Sequence, residues 1–144
     1  SYTRFDYSDL HIVESAKGAV ANSEVTVSFR LKNSGKVFGT EVVQLYINDP
    51  VASITRPVKQ LKAFARVDLQ PGQQALVSFK VPVNLLAFVD SQQQWVVEPG
   101  EIKLMIGSSS ADLRLHGSFN IAGDITDVGA HRAYLSTVDV RYEQ

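Results

Sequence analysis

Asp49, Asp90, Glu98 and Asp112 are the side chains best suited by type to acid–base work in this 144-residue chain. Hydrolysis by paired carboxyls needs two such groups about 5 to 9.5 Å apart, one of them kept protonated by its surroundings. All four instead fall at expected strand ends or turns, where Asp hydrogen-bonds nearby backbone and Glu is solvated, so no catalytic pair is nominated. Ser108, Ser109 and Ser110 follow Gly107. A nucleophilic serine needs a positioned base, and the strand-turn-helix elbow needs glycine on both sides, so this triplet reads as a strand-connecting loop. His11, His116 and His131 lack the close spacing of a zinc site, and there is no cysteine to join them. No phosphate-cradling glycine loop or calcium loop occurs, so the sequence implies no metal and no cofactor.

The bulk figures narrow the function class further. A chain of this length suits one domain able to bury about 70% of the surface its unfolded form exposes. Hydrophobic content of 44% and charged content of 20% are those of an ordinary folded domain. The longest wholly apolar run, residues 85–89, is too short to cross a bilayer. Net charge is −1 with scattered basic residues, which gives no case for nucleic acid, since phosphate recognition needs clustered Lys and Arg. The absence of cysteine leaves the redox compartment undetermined. The N-terminus shows aromatic spacing at Tyr2, Phe5 and Tyr7 and no charged-then-apolar export segment, and reads as an excised piece.

The elements that must position these residues are strands. Val25, Val27, Phe29 and Leu31 alternate with Thr26, Ser28, Arg30 and Lys32, a period of two that a strand with one buried face explains. Residues 33–36, Asn-Ser-Gly-Lys, predict a tight reversal with Gly35 at positive φ. In residues 41–48, Val43, Leu45 and Ile47 share the inner face; Val42, Gln44 and Tyr46 share the other, a partly apolar surface suited to meeting a neighbouring domain. Pro71-Gly72 and Pro99-Gly100 each fit the centre of a type II turn opening a strand, with Val77, Phe79 and Val81 inward after the first and Ile102, Leu104 and Ile106 after the second. Shorter strands are predicted at residues 10–13, 87–90, 94–97 and 113–119, with a hairpin tip at 90–93. No stretch carries a sustained helical stripe. About seven strands separated by turn signals predict an all-β, antiparallel two-sheet β-sandwich.

Residues 48–56 are too long and irregular for a simple hairpin. Pro50 and Pro57 bracket them and hold Asp49 and Arg56 in extended geometry. A docking surface and a solvated crossover between sheets are both open readings. Val138, Val140 and Tyr142 alternate with Asp139 and Arg141 like one more strand. It could pair with a sheet edge, cover a partner domain, or stay partly disordered.

Residues 41–57, EVVQLYINDPVASITRP, join an alternating strand to that long loop. They continue into PVKQLKAF at 57–64, LQPG at 69–72, WVVEPG at 95–100 and MIGSSS at 105–110. In this order and spacing the motifs resemble the fibronectin type III-like domain that ends many family 3 glycoside hydrolases, the group of β-glucosidases and β-xylosidases. The resemblance covers most of residues 2–119. It implies a fibronectin type III or immunoglobulin-like sandwich over residues 1–120, with residues 121–144 as an extension docking on the sandwich or on a missing neighbour.

The resemblance also implies that the catalytic carboxylates lie in other domains, so this chain alone is no enzyme but an accessory module. Its partners would be the catalytic domains of the same polypeptide, whose arrangement it would stabilise in an enzyme cleaving β-linked glucosides or xylosides. Tyr2, Phe5, Tyr7, Asp49, Arg56 and Trp95 are the candidate interdomain interface, with Arg56 suited to a planar ion pair. The alternative is a carbohydrate-binding module holding the enzyme on polysaccharide. That would need an exposed aromatic platform, for which Trp95 is the single tryptophan; packing is the competing role for that ring. Neither nucleic acid nor membrane is an expected partner. Related enzymes are periplasmic or secreted, or in some cases cytoplasmic.

Overall fold

The computed structural model describes residues 3–14, 18–48, 59–129 and 136–143. The alternating run that begins the core becomes β2 (Glu24–Asn33), flanked by β1 (Phe5–Val13) and β5 (Gln74–Pro82). With β11 (Thr137–Glu143) they form an antiparallel sheet in the order β1-β2-β5-β11. The second sheet has the order β4-β3-β8-β9, from β3 (Gly39–Asn48), β4 (Gln60–Leu69), β8 (Gly100–Ser109) and β9 (Asp112–Ile121). Three short strands, β6 (Phe88–Val89), β7 (Trp95–Val97) and β10 (Thr126–Asp127), make a small third sheet. A 3-10 turn, Val83–Leu86, follows β5. The chain is an all-β sandwich.

Every second residue of the long strands points into the space between the two large sheets. Val25, Val27, Phe29, Leu31, Val77, Phe79 and Val81 meet Val43, Leu45, Ile47, Ile102, Leu104 and Ile106, all buried. Phe29 and Phe79 stack at the centre, with ring centroids 6.4 Å apart. Burial of each such side chain stabilises by about 1.5 to 3 kcal/mol, which lets the core form without a disulfide or metal.

The turns divide. At Pro71-Gly72 the expected type II turn is present: Gln73 N donates to Gln70 O and Gly72 has φ 78°. At Pro99-Gly100 it is not. The chain there leaves the small sheet and enters the second large one, so no reversal is needed, and Gly100 starts β8 directly with φ 139°. Gly35, expected at positive φ, does not adopt it. It is required sterically, since a Cβ at that position would lie 1.9 Å from Thr3 Oγ1. The crossing from β2 to β3 is held instead by buried Asn33, whose Nδ2 donates to Val37 O and Leu69 O and whose Oδ1 accepts from Thr3 Oγ1 and Gly35 N.

β4 was not expected from its sequence as a strand, although Ala63, Ala65, Val67 and Leu69 have the right period. β11 runs antiparallel to β5 from Thr137↔Lys80 to Glu143↔Gln74. Arg30 fixes its end, with Nε and Nη2 donating to Glu143 and Nη1 to Asp9.

Candidate interdomain interface

The partly apolar outer face expected on residues 41–48 extends across the sheet. Antiparallel register places Phe64 opposite Gln44, Leu61 opposite Tyr46, and Met105 on the other side of Tyr46. Directly opposed residues share a face, so Val42, Tyr46, Leu61, Phe64 and Met105 form one outward stripe across β4, β3 and β8. Val42 is 40% exposed, Leu61 48% and Phe64 66%. An irregularity in the ladder between Leu45 and Tyr46 lets both Leu61 and Phe64 reach this outer face, because it inserts Lys62 as an extra residue in β4. The Tyr46 hydroxyl is held along the strand by Gln44 Oε1.

Of the residues nominated from sequence, the three described ones, Phe5, Tyr7 and Trp95, are not gathered there. Tyr2, Asp49 and Arg56 lie outside the described residues, as does His131. Phe5 is buried within the sandwich. Tyr7 also turns inward: its ring lies 5.7 Å from Phe29, and its hydroxyl donates to Glu41 Oε2 at 3.0 Å. Burial first, and then Glu41, push the Tyr7 phenol far above its ordinary value. Arg114 of β9 lies over the same ring, 5.4 Å from its centroid, and donates to Phe5 O. These two aromatics join the sheets along the β1–β9 side. Trp95 is 37% exposed and belongs to the small sheet, where its carbonyl accepts from Val128 N. It is a separate feature from the Phe64 stripe.

Of the four acids singled out, Asp90 and Asp112 have structural duties; Asp49 lies outside the described residues, and Glu98, expected in solvent, is buried. Asp90 Oδ1 accepts from Gln92 N and Gln94 N, capping the hairpin tip. Asp112 accepts from Arg114 at 2.7 Å and from Ser108 at 2.6 Å, and these two donors, Arg114 first, hold its carboxyl down at about 2. A group so acidic is ionised at any ordinary pH and cannot serve as a proton donor. Ser108 and Ser109 belong to the β8–β9 hairpin, where Ser109 Oγ accepts from Ala111 N. Among the described residues no cluster of His, Asp and Glu could hold a metal. His11 and His116 are exposed on separate strands.

The sequence signal for the outer stripe was half visible. Val42 and Tyr46 alternate with the core residues, whereas Leu61 and Phe64, three positions apart, reach one face only through the irregularity in β4.

Comparison with known proteins agrees with this architecture. The family model for the fibronectin type III-like domain matches residues 41–110. Thermostable β-glucosidase B of Acetivibrio thermocellus is 41% identical over 122 residues, covering 84% of this chain and 16% of the relative. The periplasmic β-glucosidase of Salmonella typhimurium is 39% identical over 121 residues, covering 84% and 15%. A β-glucosidase involved in saponin metabolism from intestinal bacteria superimposes with a TM-score of 0.78 at 40% identity, covering 85% of this chain and 17% of that one. The chain thus spans about one sixth of the length of the relatives it matches. It belongs to the fibronectin type III-like domains of the family 3 glycoside hydrolases.

Proposed function

We propose that this domain is a non-catalytic accessory module whose outer stripe, Val42, Tyr46, Leu61, Phe64 and Met105, docks against the catalytic domains of its own polypeptide. The observation that carries the reading is Phe64, a large apolar side chain left mostly in water on the middle of a strand whose other face is core. Contiguous exposed apolar surface of this kind marks a contact site. Interfaces between domains of one chain bury about 600 to 1,500 Å², within reach of such a stripe and its polar rim. The parent would cleave β-linked glucosides or xylosides in the periplasm or outside the cell, and the module would hold its catalytic domains in place as a tethered partner.

Phe64→Asp separates docking from folding. Being exposed, the change should leave the melting temperature of the 144-residue chain nearly unaltered. In the full-length parent it should lower the melting temperature and shorten the half-life of activity. If the full-length enzyme carrying Phe64→Asp melts and turns over like the wild type, the stripe is not the docking face.

The partial exposure of Trp95 favours a second reading, a carbohydrate-binding role. Affinity electrophoresis in soluble β-glucan or xylan decides it. Retardation of the chain that disappears in Trp95→Ala would transfer the function from scaffolding to binding.

A further inference from the structure

Three apolar side chains of β11, Val138, Val140 and Tyr142, are paired with Phe79, Val77 and Ala75 of β5, all buried, and so face inward with them. They fill that space poorly. Val138 is 45% exposed and Tyr142 49%, whereas the inward positions of β2 from Val25 to Leu31 are all buried. Beside Val138 an open cavity of about 380 Å³ lies between β11 and β4, lined among the described residues by Leu61, Lys62, Ala63, Phe64, Phe79 and Ser136. β11 and β4 are the outermost strands of their sheets, so this is the open side of the sandwich. What holds β11 there is its ladder to β5, together with two anchors. Ser136 Oγ donates to Lys62 O at 3.3 Å, and Arg30 grips both carboxylate oxygens of Glu143, Nε at 2.9 Å and Nη2 at 3.3 Å.

We infer that the β5 edge is an acceptor for an extended peptide, and that β11 occupies it as a built-in, imperfect stand-in. The partner is a strand with a large apolar or aromatic residue where β11 has Val138, apolar residues two and four positions further on, and an acid at the place of Glu143. Each requirement has its own source on the acceptor. The first comes from the cavity: a larger side chain in the Val138 register would enter the space beside Ala63 and Phe79 and bury apolar surface that now meets water. The second comes from Val77 and Ala75, which meet alternate side chains of any strand added on that edge. The third comes from Arg30, whose planar fork takes a carboxylate at two points. Thr137, Asp139 and Arg141 pair with Lys80, Ser78 and Leu76 on the outer face, so the positions between impose no selection. Main-chain hydrogen bonds supply affinity, and the cavity supplies specificity. A tethered strand competes at high effective concentration, so a peptide that merely copies β11 is at a disadvantage and one that fills the cavity is not. Leu61 and Phe64 border the cavity from the second sheet, whereas the acceptor edge belongs to the first, so it can take a strand whether or not the outer stripe docks.

The test uses the 144-residue chain as wild type and as Val140→Asp, which loosens β11 by setting a carboxylate against Val77. Three fluorescent peptides of residues 136–143 are titrated against each: the native sequence, one carrying Val138→Phe, and one carrying both Val138→Phe and Glu143→Lys. Anisotropy gives the affinities and amide NMR locates the site. The Val138→Phe peptide should bind the Val140→Asp chain about tenfold more tightly than the native peptide, shift the amides of β5 from Gln74 to Lys80, and lose most of that gain when Glu143→Lys is added. The wild-type chain should rank the peptides in the same order with weaker binding. In the intact chain Val138→Phe should raise the melting temperature, a readout that does not depend on the folding of Val140→Asp. Equal affinity for the native and Val138→Phe peptides, binding of neither, shifts confined to strands other than β5, or a Val138→Phe chain that melts at or below the wild type would each overturn the acceptor. Self-association of the Val140→Asp chain that the Val138→Phe peptide fails to reverse would overturn it too, by making a second copy the occupant of the edge.

Discussion

The rings of Tyr7 and Phe29 lie 5.7 Å apart and within 8° of parallel, and Phe79 continues the stack on the other side of Phe29. Phe29 is therefore the middle of three aromatic rings and is fully buried. Truncation there removes contacts in both directions and leaves a cavity that strand backbones cannot close. Phe29→Ala should destabilise the chain by about 3 to 5 kcal/mol, read from urea denaturation with unchanged slope. A loss of less than about 1 kcal/mol, the range of volume-conserving swaps, would show that the stack does not bear on the core.

Asn33 is a buried polar side chain whose donors and acceptor are all used, across the joint between the two sheets. Asn33→Asp keeps the shape but puts a carboxylate oxygen where Nδ2 met the carbonyls of Val37 and Leu69. Each buried polar group left without its partner costs about 1 to 3 kcal/mol. The variant should lose about 2 to 5 kcal/mol at neutral pH and recover part of that below pH 4, where the new acid is neutral and can donate one hydrogen bond. Chemical denaturation at pH 3 and pH 7 reads the difference; equal losses at both would mean that the two carbonyls find other donors.

These cases show which layers of the structure could be read in advance. The inner faces of β2, β3, β5 and β8 were legible because Val, Leu, Ile and Phe fall on every second position there, with polar residues between. β4 was hidden: its inward positions include small Ala63 and Ala65, while its largest side chain, Phe64, faces out, reversing the expected sign of the pattern. Pro99-Gly100 has the composition of a turn, but whether the chain reverses depends on which sheet it enters next, a tertiary fact. The Tyr7–Glu41 contact joins residues 34 positions apart on different sheets. Local periodicity carries no information about a pairing of that kind, which is why Tyr7 read as a surface aromatic.

Gly107 illustrates a requirement with no conformational signature. It has no positive φ, yet a Cβ there would lie 1.9 Å from Asp112 O, at the irregular rungs of the β8–β9 ladder. Backbone of the partner strand cannot yield as a flexible side chain would. Gly107→Ala should therefore open the hairpin end, lowering the melting temperature and abolishing exchange protection around Asp112 while leaving the β2–β5 rungs intact. Retention of the Ser108–Asp112 hydrogen bond in the variant, visible as a protected hydroxyl proton, would contradict the steric argument.

Asp112 sets the acid side of the stability profile. Its carboxyl is held at about 2, by Arg114 first and by Ser108 second, below the ordinary value of 3.8. A group lowered on folding contributes stability that is complete above the unfolded value and is lost as pH falls through the folded one, so the window is about pH 4 to pH 2. Within it the carboxylate takes up its proton, the 2.7 Å contact to Arg114 Nε loses its charge, and Arg114 is left to Phe5 O and the Tyr7 ring. Asp112→Asn cannot titrate. Its urea midpoint should lie below that of the wild type at pH 5, and the gap should close as the pH is lowered to 2. A gap that stays constant over the whole range would show that the ion pair, exposed as it is, is too well screened to be felt.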